Sequence, residues 1–71
     1  MSYQSFLDMA VEAFDLLKAE GKTRLILDGL GSFTSADSLV RRWEAADGGG
    51  RSLLEGYLQE AYGLLGKMAG V

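Results

Sequence analysis

Hydrophobic residues recur with the same spacing near both ends of the chain. Near the N-terminus, five of them follow one another at alternating intervals of four and three residues: Tyr3, Leu7, Ala10, Phe14 and Leu17. Near the C-terminus, the same alternation joins Leu54, Leu58, Ala61, Leu65 and Met68. Intervals of this kind place side chains on one face of an α-helix. The pattern therefore predicts two long helices, one at each end of the chain.

Residues that favour helix ends flank both segments. Ser2 or Ser5 is suited to begin the first helix. Gly21 is suited to end it, because glycine adopts the left-handed conformation that often follows a helix. Ser52 is predicted to begin the last helix, with Glu55 three residues later completing a capping box.

Residues 23–29 are ambiguous between a strand and a helix. The run "RLIL" fits either a short buried strand or one to two helical turns capped by Thr23. A lone strand in a chain this short would need a partner strand from another subunit, and no second run in the chain alternates apolar and polar residues with a period of two. We therefore expect a short helix here, followed by a turn at Gly29 and Gly31.

A second short helix is predicted from Thr34 onward. Thr34 is suited to be its N-cap, with Asp37 three residues later in a variant of the capping box. Leu39, and Trp43 four residues after it, lie on the apolar face. The three consecutive glycines at residues 48–50 are expected to end this helix.

Together these segments predict an all-α fold, a small bundle of three or four helices in which short middle helices pack across the two long terminal helices. The chain of 71 residues has room for a single helical domain, residues 1–71. Chains this small usually add disulfides, a metal or a second subunit to a limited core. Cysteine and histidine are both absent, so association is the route that remains, and we expect a homodimer.

The residues expected to form the core and the dimer interface are apolar and aromatic side chains of the two terminal helices. They are Tyr3, Leu7, Phe14, Leu17, Leu54, Tyr57, Leu58, Tyr62 and Leu65. In both helices the apolar stripe is wider than contact with one neighbour requires. The sequence leaves open whether the two long helices pair within one chain or between two chains.

Charge and composition restrict the classes of partner. A formal net charge of −3 argues against nucleic acid, because affinity for nucleic acid depends on Lys and Arg neutralising phosphates. No apolar run approaches the roughly 18 residues that span a bilayer. The N-terminal segment carries acids where a secretory signal is basic. The expected location is the cytoplasm, without membrane contact.

Catalytic chemistry has little support in the sequence. Asp8, Glu12 and Asp15 share the polar face of the first predicted helix, without the apolar pocket that raises the pKa of a catalytic acid. Without His or Cys, the Ser and Thr hydroxyls lack their usual activating base. The glycine-rich segments have neither Walker nor dinucleotide-fold spacing. We expect no enzymatic activity, and no metal, cofactor or small-molecule substrate.

Arg41 and Arg42, beside Trp43, are the first candidates for partner binding. Arginine and tryptophan are typical of the residues that contribute most at protein interfaces. The interpretation that Trp43 packs in the core is nevertheless favoured, because it lies on the apolar face of its helix. Arg41 is then expected to pair with Asp37 at the i, i+4 spacing, and Arg42 to be solvated.

A series of glycines in the last helix is the second candidate. Gly56, Gly63 and Gly70 follow one another at intervals of seven residues on the side away from the leucines, and Gly66 lies nearby. Interior glycines each cost about 0.5 to 1 kcal/mol relative to alanine. The series is either a smooth surface for close backbone packing or an unconstrained exposed face.

The function that these observations favour is a non-enzymatic protein–protein interaction module. It would be a small regulator, adaptor or inhibitor that binds a larger cytoplasmic protein as a homodimer. One alternative is a dimeric DNA-binding regulator in which residues 23–46 form a helix-turn-helix. Asp37 lies at the start of its recognition helix, where base-reading side chains belong, and weakens that alternative. A second alternative is a structural assembly subunit.

Overall fold

The computed structural model describes residues 1–68 and consists of three helices and one two-stranded sheet. The elements in chain order are α1 (Tyr3–Ala19), β1 (Leu25–Leu27), β2 (Gly31–Phe33), α2 (Ala36–Ala45) and α3 (Gly48–Met68). Most of the chain is helical, as the sequence predicts, and the two long helices are the terminal ones. Gly70, the last member of the predicted glycine series, and the side chain of Met68 lie outside the described part.

Helix α1 begins and ends at the residues that the sequence favours. The Ser5 N–H donates to Ser2 Oγ over 3.1 Å, so Ser2 is the N-cap. At the other end, the Lys22 N–H donates to the Leu17 carbonyl and the Gly21 N–H to the Lys18 carbonyl, each over 2.9 Å. This pair of bonds is a Schellman motif, and it requires the left-handed conformation that Gly21 adopts at φ +73°.

The prediction of a helix over residues 23–29 is wrong, because this segment forms a β-hairpin with the residues that follow. Strands β1 and β2 pair antiparallel, with Leu25 opposite Phe33 and Ile26 opposite Ser32. The partner strand lies in the same chain and is three residues long. It is too short to show a period of two, which is why the sequence pattern missed it.

The predicted turn at the two glycines is confirmed, and it closes the hairpin. The Leu30 N–H donates to the Leu27 carbonyl over 2.9 Å. Gly29 lies at φ +77° and Gly31 at φ +104°, conformations that L side chains rarely adopt. The hairpin directs Leu27 into the core and Ile26 toward solvent.

Helix α2 begins one residue later than predicted. Ser35, and not Thr34, is its N-cap, since the Ser38 N–H donates to Ser35 Oγ over 3.2 Å. The Ser38 hydroxyl in turn donates to the Ser35 carbonyl over 2.7 Å. The sequence offers two adjacent hydroxyl residues for this position, and the backbone bond from the Leu39 N–H to the Ser35 carbonyl, over 3.4 Å, also begins at the second.

The three glycines at residues 48–50 begin α3, and the prediction that they end α2 is wrong. Helix α2 ends at Ala45, and Ala46 has an extended backbone. Asp47 then caps α3, because its Oδ1 accepts from the Gly50 N–H over 2.7 Å. The predicted cap, Ser52, lies inside the helix.

Glycine fits the first turn of α3 for a steric reason as well. A Cβ at Gly50 would lie 3.0 Å from the Cβ of Ala46, tighter than ordinary van der Waals contact. The chain therefore passes from α2 to α3 in a two-residue connection, and a larger residue at Gly50 would have to displace Ala46. The junction consists of a carboxylate cap followed by three small residues.

A single core joins the three helices and the hairpin. Its fully buried large side chains are Phe6, Leu39, Leu54 and Leu58. The other buried apolar residues are Ala10, Ala13, Phe14, Leu17, Leu25, Leu27, Phe33, Val40, Trp43 and Leu65. The question that the sequence leaves open is answered here: α1 and α3 pack against each other within one chain.

Of the nine residues expected in the core or dimer interface, five are buried in the single chain: Phe14, Leu17, Leu54, Leu58 and Leu65. Leu7, Tyr57 and Tyr62 are half-buried and pack against the core. Tyr3 is 47% exposed and lies beside Trp43 with 6.3 Å between ring centroids. The chain thus has a hydrophobic core of its own before any association.

Candidate functional site

Trp43 is buried at the centre of an aromatic cluster, as its place on the apolar face of α2 predicts. Only 6% of its surface is exposed. The Phe6 ring stacks on the indole with centroids 5.3 Å apart. The indole Nε1–H donates to Glu55 Oε2 over 2.9 Å. Since its ring and its polar hydrogen both have partners inside the chain, Trp43 is a structural residue, and it does not form a contact surface with Arg41 and Arg42.

Arg51 is the residue at this junction that sequence reasoning missed. Its guanidinium carbon lies 4.3 Å from the centre of the Trp43 ring. Its Nε donates to the Trp43 carbonyl over 2.9 Å, and its Nη2 donates to the Glu44 carbonyl over 3.2 Å. Both carbonyls belong to the last turn of α2, whose carbonyls have no i→i+4 helical partner, and the Trp43 carbonyl also accepts from the Ala46 N–H over 3.3 Å. The only sequence signal was a basic residue shortly after a helix end.

The two arginines of α2 are exposed. Arg41 Nε lies 3.0 Å from Asp37 Oδ2, which confirms the predicted i, i+4 pair. Both side chains are more than two-thirds exposed, so the pair contributes little to stability. Arg42 lies on the exposed side of the helix, one position from the buried Trp43. These arginines remain accessible to a partner from solvent.

The three interior glycines of the predicted series that the structure describes have no packing role within residues 1–68. Gly56 and Gly63 are exposed and Gly66 is half-buried. Apart from the neighbouring backbone of the helix itself, a Cβ added at any of the three would meet no atom of the described residues within 4 Å. Their cost in helix stability, about 0.5 to 1 kcal/mol each, is therefore not compensated by a close contact within this chain.

A stripe of exposed side chains runs along α3 next to two of these glycines. It consists of Leu53, Tyr57, Glu60 and Leu64, which we name the outer face of α3. Leu53 is 54% exposed, Leu64 is 56% exposed and Tyr57 is half-buried. Ile26 of the hairpin lies beside the stripe and is 72% exposed, the highest value among the exposed large hydrophobic residues. Large apolar side chains grouped in this way are typical of interaction sites.

Two depressions flank the outer face of α3. The first, of about 280 Å³, lies between the hairpin and the helix and is lined by Ile26, Leu27, Asp28, Tyr57, Glu60, Ala61 and Leu64. The second, of about 300 Å³, is lined by Ser52, Leu53, Gly56, Tyr57 and Glu60. They share Tyr57 and Glu60, so the surface is continuous. A partner seated there would contact Ile26, both leucines and Gly56.

The sequence contains a signal for this surface that the prediction of core residues did not use. Leu53, Tyr57, Glu60 and Leu64 are spaced by four, three and four residues. That spacing is helical, but Glu60 interrupts its apolar character. Ile26 could not be assigned to the surface from the sequence, because its position depends on the hairpin.

A polar contact joins the other side of α3 to α1. The Tyr62 hydroxyl donates to Glu12 Oε2. The hydrogen bond to Glu12, and next the negative charge of Glu12, raise the pKa of Tyr62 above its ordinary value. The carboxylate disfavours the phenolate beside it. This contact joins the two long helices.

Within residues 1–68, no group of three or more His, Cys, Asp or Glu residues is arranged to hold a metal ion. None of the helices in this described part is long and apolar enough to cross a membrane. Comparisons of the chain with protein-family models, with curated proteins and with solved structures find no match.

Proposed function

We propose that the protein is a non-enzymatic interaction module, a small regulator, adaptor or inhibitor that works as a homodimer and binds a larger cytoplasmic protein. The observation that carries the proposal is the outer face of α3 with Ile26 beside it. Three aliphatic side chains that are each more than half exposed lie on one continuous surface. Burying them against a partner is favourable by about 25 cal/mol per Å² of apolar area.

The chain's small size supports the same proposal. A core built by 71 residues rarely supplies more than roughly 3 to 5 kcal/mol, and association adds to it. The buried side chains already serve the fold of one chain. The exposed apolar residues of α3 lie outside that core, and contact with a second protein surface would bury them.

The arginines of α2 are a second contact point for a larger partner. Arg41 and Arg42 are exposed and line neither depression beside α3. A protein seated on the outer face of α3 therefore leaves them accessible. Arginine suits an acidic patch on a partner, because its planar group binds carboxylates with two parallel hydrogen bonds.

The helix-turn-helix alternative is weaker for a structural reason. Residues 25–27 are a strand, so the first helix of a motif spanning residues 23–46 does not form. A DNA-binding role predicts retention on DNA that falls with salt and is lost in the double variant Arg41→Ala, Arg42→Ala. An assembly subunit predicts oligomers larger than a dimer, and Gly63→Leu should disrupt them.

The experiment that tests the proposed function is affinity capture from the cells in which the protein is made. The tagged protein is compared with the double variant Leu53→Glu, Leu64→Glu and with the matched control Val11→Glu, an exposed position on α1. We expect the wild type and Val11→Glu to retain the same specific partner and the double variant to lose it. Equal retention by all three proteins would contradict a role for the outer face of α3.

A further inference from the structure

We propose that the first occupant of the outer face of α3 is a second copy of the same helix, paired antiparallel about a two-fold axis between positions 58 and 59. This inference rests on the proposed function, since it names the partner of the same surface. It is derived from the spacing of the face, from the charges on it, and from the depressions at its two ends.

The spacing of the face is that of a helix-pairing seam. Leu53, Tyr57, Glu60 and Leu64 occupy alternate d and a positions of a heptad repeat, because their intervals are four, three and four residues. In an antiparallel pair, each a residue lies opposite a d residue of the other helix. With the axis between positions 58 and 59, Leu53 lies opposite Leu64 of the second copy, and Tyr57 lies opposite Glu60.

The negative charge of Glu60 favours this arrangement over two other pairings of the same helices. A parallel pair in register places the two Glu60 carboxylates against each other, and so does an antiparallel pair centred on position 60. Like charges at close range are unfavourable. In the proposed register each Glu60 carboxylate instead meets a Tyr57 hydroxyl, which donates a hydrogen bond to it. Glu60 is the one acidic residue of the seam. Each of its two copies thus gains a hydrogen-bond partner, one on each side of the two-fold axis.

The two depressions fit the same register. Leu53 of the second copy falls beside Leu64, at the depression lined by Ile26 and Ala61. Leu64 of the second copy falls beside Leu53, at the depression lined by Ser52 and Gly56. Each leucine therefore packs into a hole formed by the other helix, which is the packing of paired helices. The exposed Ile26 is covered in this arrangement.

Gly56 and Gly63 lie along one flank of the seam, seven residues apart. In an antiparallel pair this flank adjoins the same flank of the second helix. Small residues there allow the two helix axes to approach toward the short end of the usual 8 to 10 Å range. In the single chain, no described atom beyond the helix's own backbone lies within 4 Å of a Cβ built at either glycine. In the proposed dimer, the second helix occupies that space.

The outer face of α3 is compatible with the area that a specific dimer interface requires. A specific interface needs about 1,000 Å² in total, or about 500 Å² from each copy. The accessible surface of the chain is 4358 Å², so each copy would bury roughly a ninth of it. Four side chains over three turns of α3, together with Ile26 and the glycine flank, form a contiguous surface for that contact.

Disulfide cross-linking tests the register directly, because the natural chain contains no cysteine. The variants Leu53→Cys and Leu64→Cys are prepared separately, mixed, and equilibrated in a glutathione redox buffer. In the proposed dimer the two engineered thiols face each other, within the roughly 7 Å between Cα atoms that a disulfide allows. Two copies of the same variant have their thiols about 16 Å apart along the helix axis. Val11→Cys is the control for random collision.

We expect a disulfide-linked dimer of one Leu53→Cys chain and one Leu64→Cys chain to dominate the mixture, with neither variant alone exceeding Val11→Cys. Self-linking of either variant as readily as the mixed pair would overturn the antiparallel register. No linkage above the control, combined with a monomer in sedimentation, would overturn self-pairing. That result would also remove the homodimer from the proposed function. The binding of a larger protein stands if partner capture still depends on Leu53 and Leu64, and it fails if capture does not.

Discussion

The guanidinium of Arg51 lies over the ring of Trp43, with 4.3 Å between its central carbon and the ring centre, and donates to the Trp43 backbone carbonyl over 2.9 Å. The Arg51 side chain of α3 thus contacts both the indole of Trp43 and the backbone at the end of α2. Glu55, one turn later on α3, accepts from the indole nitrogen over 2.9 Å. The angle between α2 and α3 therefore depends on two charged side chains at the start of α3.

Arg51→Gln should destabilise the fold by about 1 to 2 kcal/mol, from the lost cation–π contact and the lost hydrogen bonds to α2. Arg41→Gln is the matched control, since its ion pair with Asp37 is exposed and should change stability by less than about 0.5 kcal/mol. Urea denaturation followed by tryptophan fluorescence measures both. Equal effects of the two variants would contradict the role given to Arg51.

Asp47→Ala should cost about 1 kcal/mol of stability, because it removes the oxygen that caps α3. Ser52→Ala should be neutral or slightly stabilising, because Ser52 lies inside the helix and alanine is the better helix former. Thermal unfolding monitored by circular dichroism ranks the two variants. A larger loss of stability in Ser52→Ala would instead support Ser52 as the start of α3 and contradict capping by Asp47.

The C-terminal end of α1 and the period of its apolar face could be predicted from the sequence because each has one strong interpretation. Gly21 alone is suited to the left-handed position after α1. The start of α3 could not be predicted, because Asp47 and Ser52 are both competent caps and only the folded chain shows that Asp47 Oδ1 accepts from the Gly50 N–H. Local sequence does not contain that contact.

The hairpin and the candidate site were missed for related reasons. A three-residue strand such as β2 has no measurable period, and its pairing with Leu25 depends on a turn that both glycines close. Leu53 and Leu64 widen the apolar stripe of the last predicted helix, and the fold turns them outward. Whether a side chain flanks the core or forms a separate face depends on the neighbouring element, which here is the hairpin containing Ile26.

Tyr62 should ionise at a higher pH than a free tyrosine, whose pKa is about 10, and Glu12→Gln should lower its pKa toward that value. The raised pKa means that the folded state keeps the proton longer than the unfolded state. The stabilisation is thus fully present below about pH 10 and is lost as pH rises through the folded pKa. The phenolate absorbance of the wild type minus that of Tyr62→Phe isolates this group among the three tyrosines. An unchanged titration in Glu12→Gln would contradict the contact.

Gly56→Ala should have opposite effects on the single chain and on the dimer. The added methyl meets no atom within 4 Å, so the helix gains about 0.5 to 1 kcal/mol. In the proposed dimer the same methyl separates the two helices and weakens their association. Gly66→Ala, which lies away from the outer face of α3, should stabilise the helix without weakening the dimer. Urea denaturation at low concentration and sedimentation at high concentration separate the two effects, and equally tight dimers from both variants would rule out close contact at Gly56.

Sedimentation equilibrium over a broad concentration range, with circular dichroism on the same samples, shows whether the outer face of α3 is an association surface. We expect the wild type and Val11→Glu to pass from monomer to dimer while their helical signal stays constant, because the core lies within one chain. Leu53→Glu should remain a folded monomer. A wild type that stays monomeric throughout, or a Leu53→Glu variant that dimerises as tightly as Val11→Glu, would contradict the account.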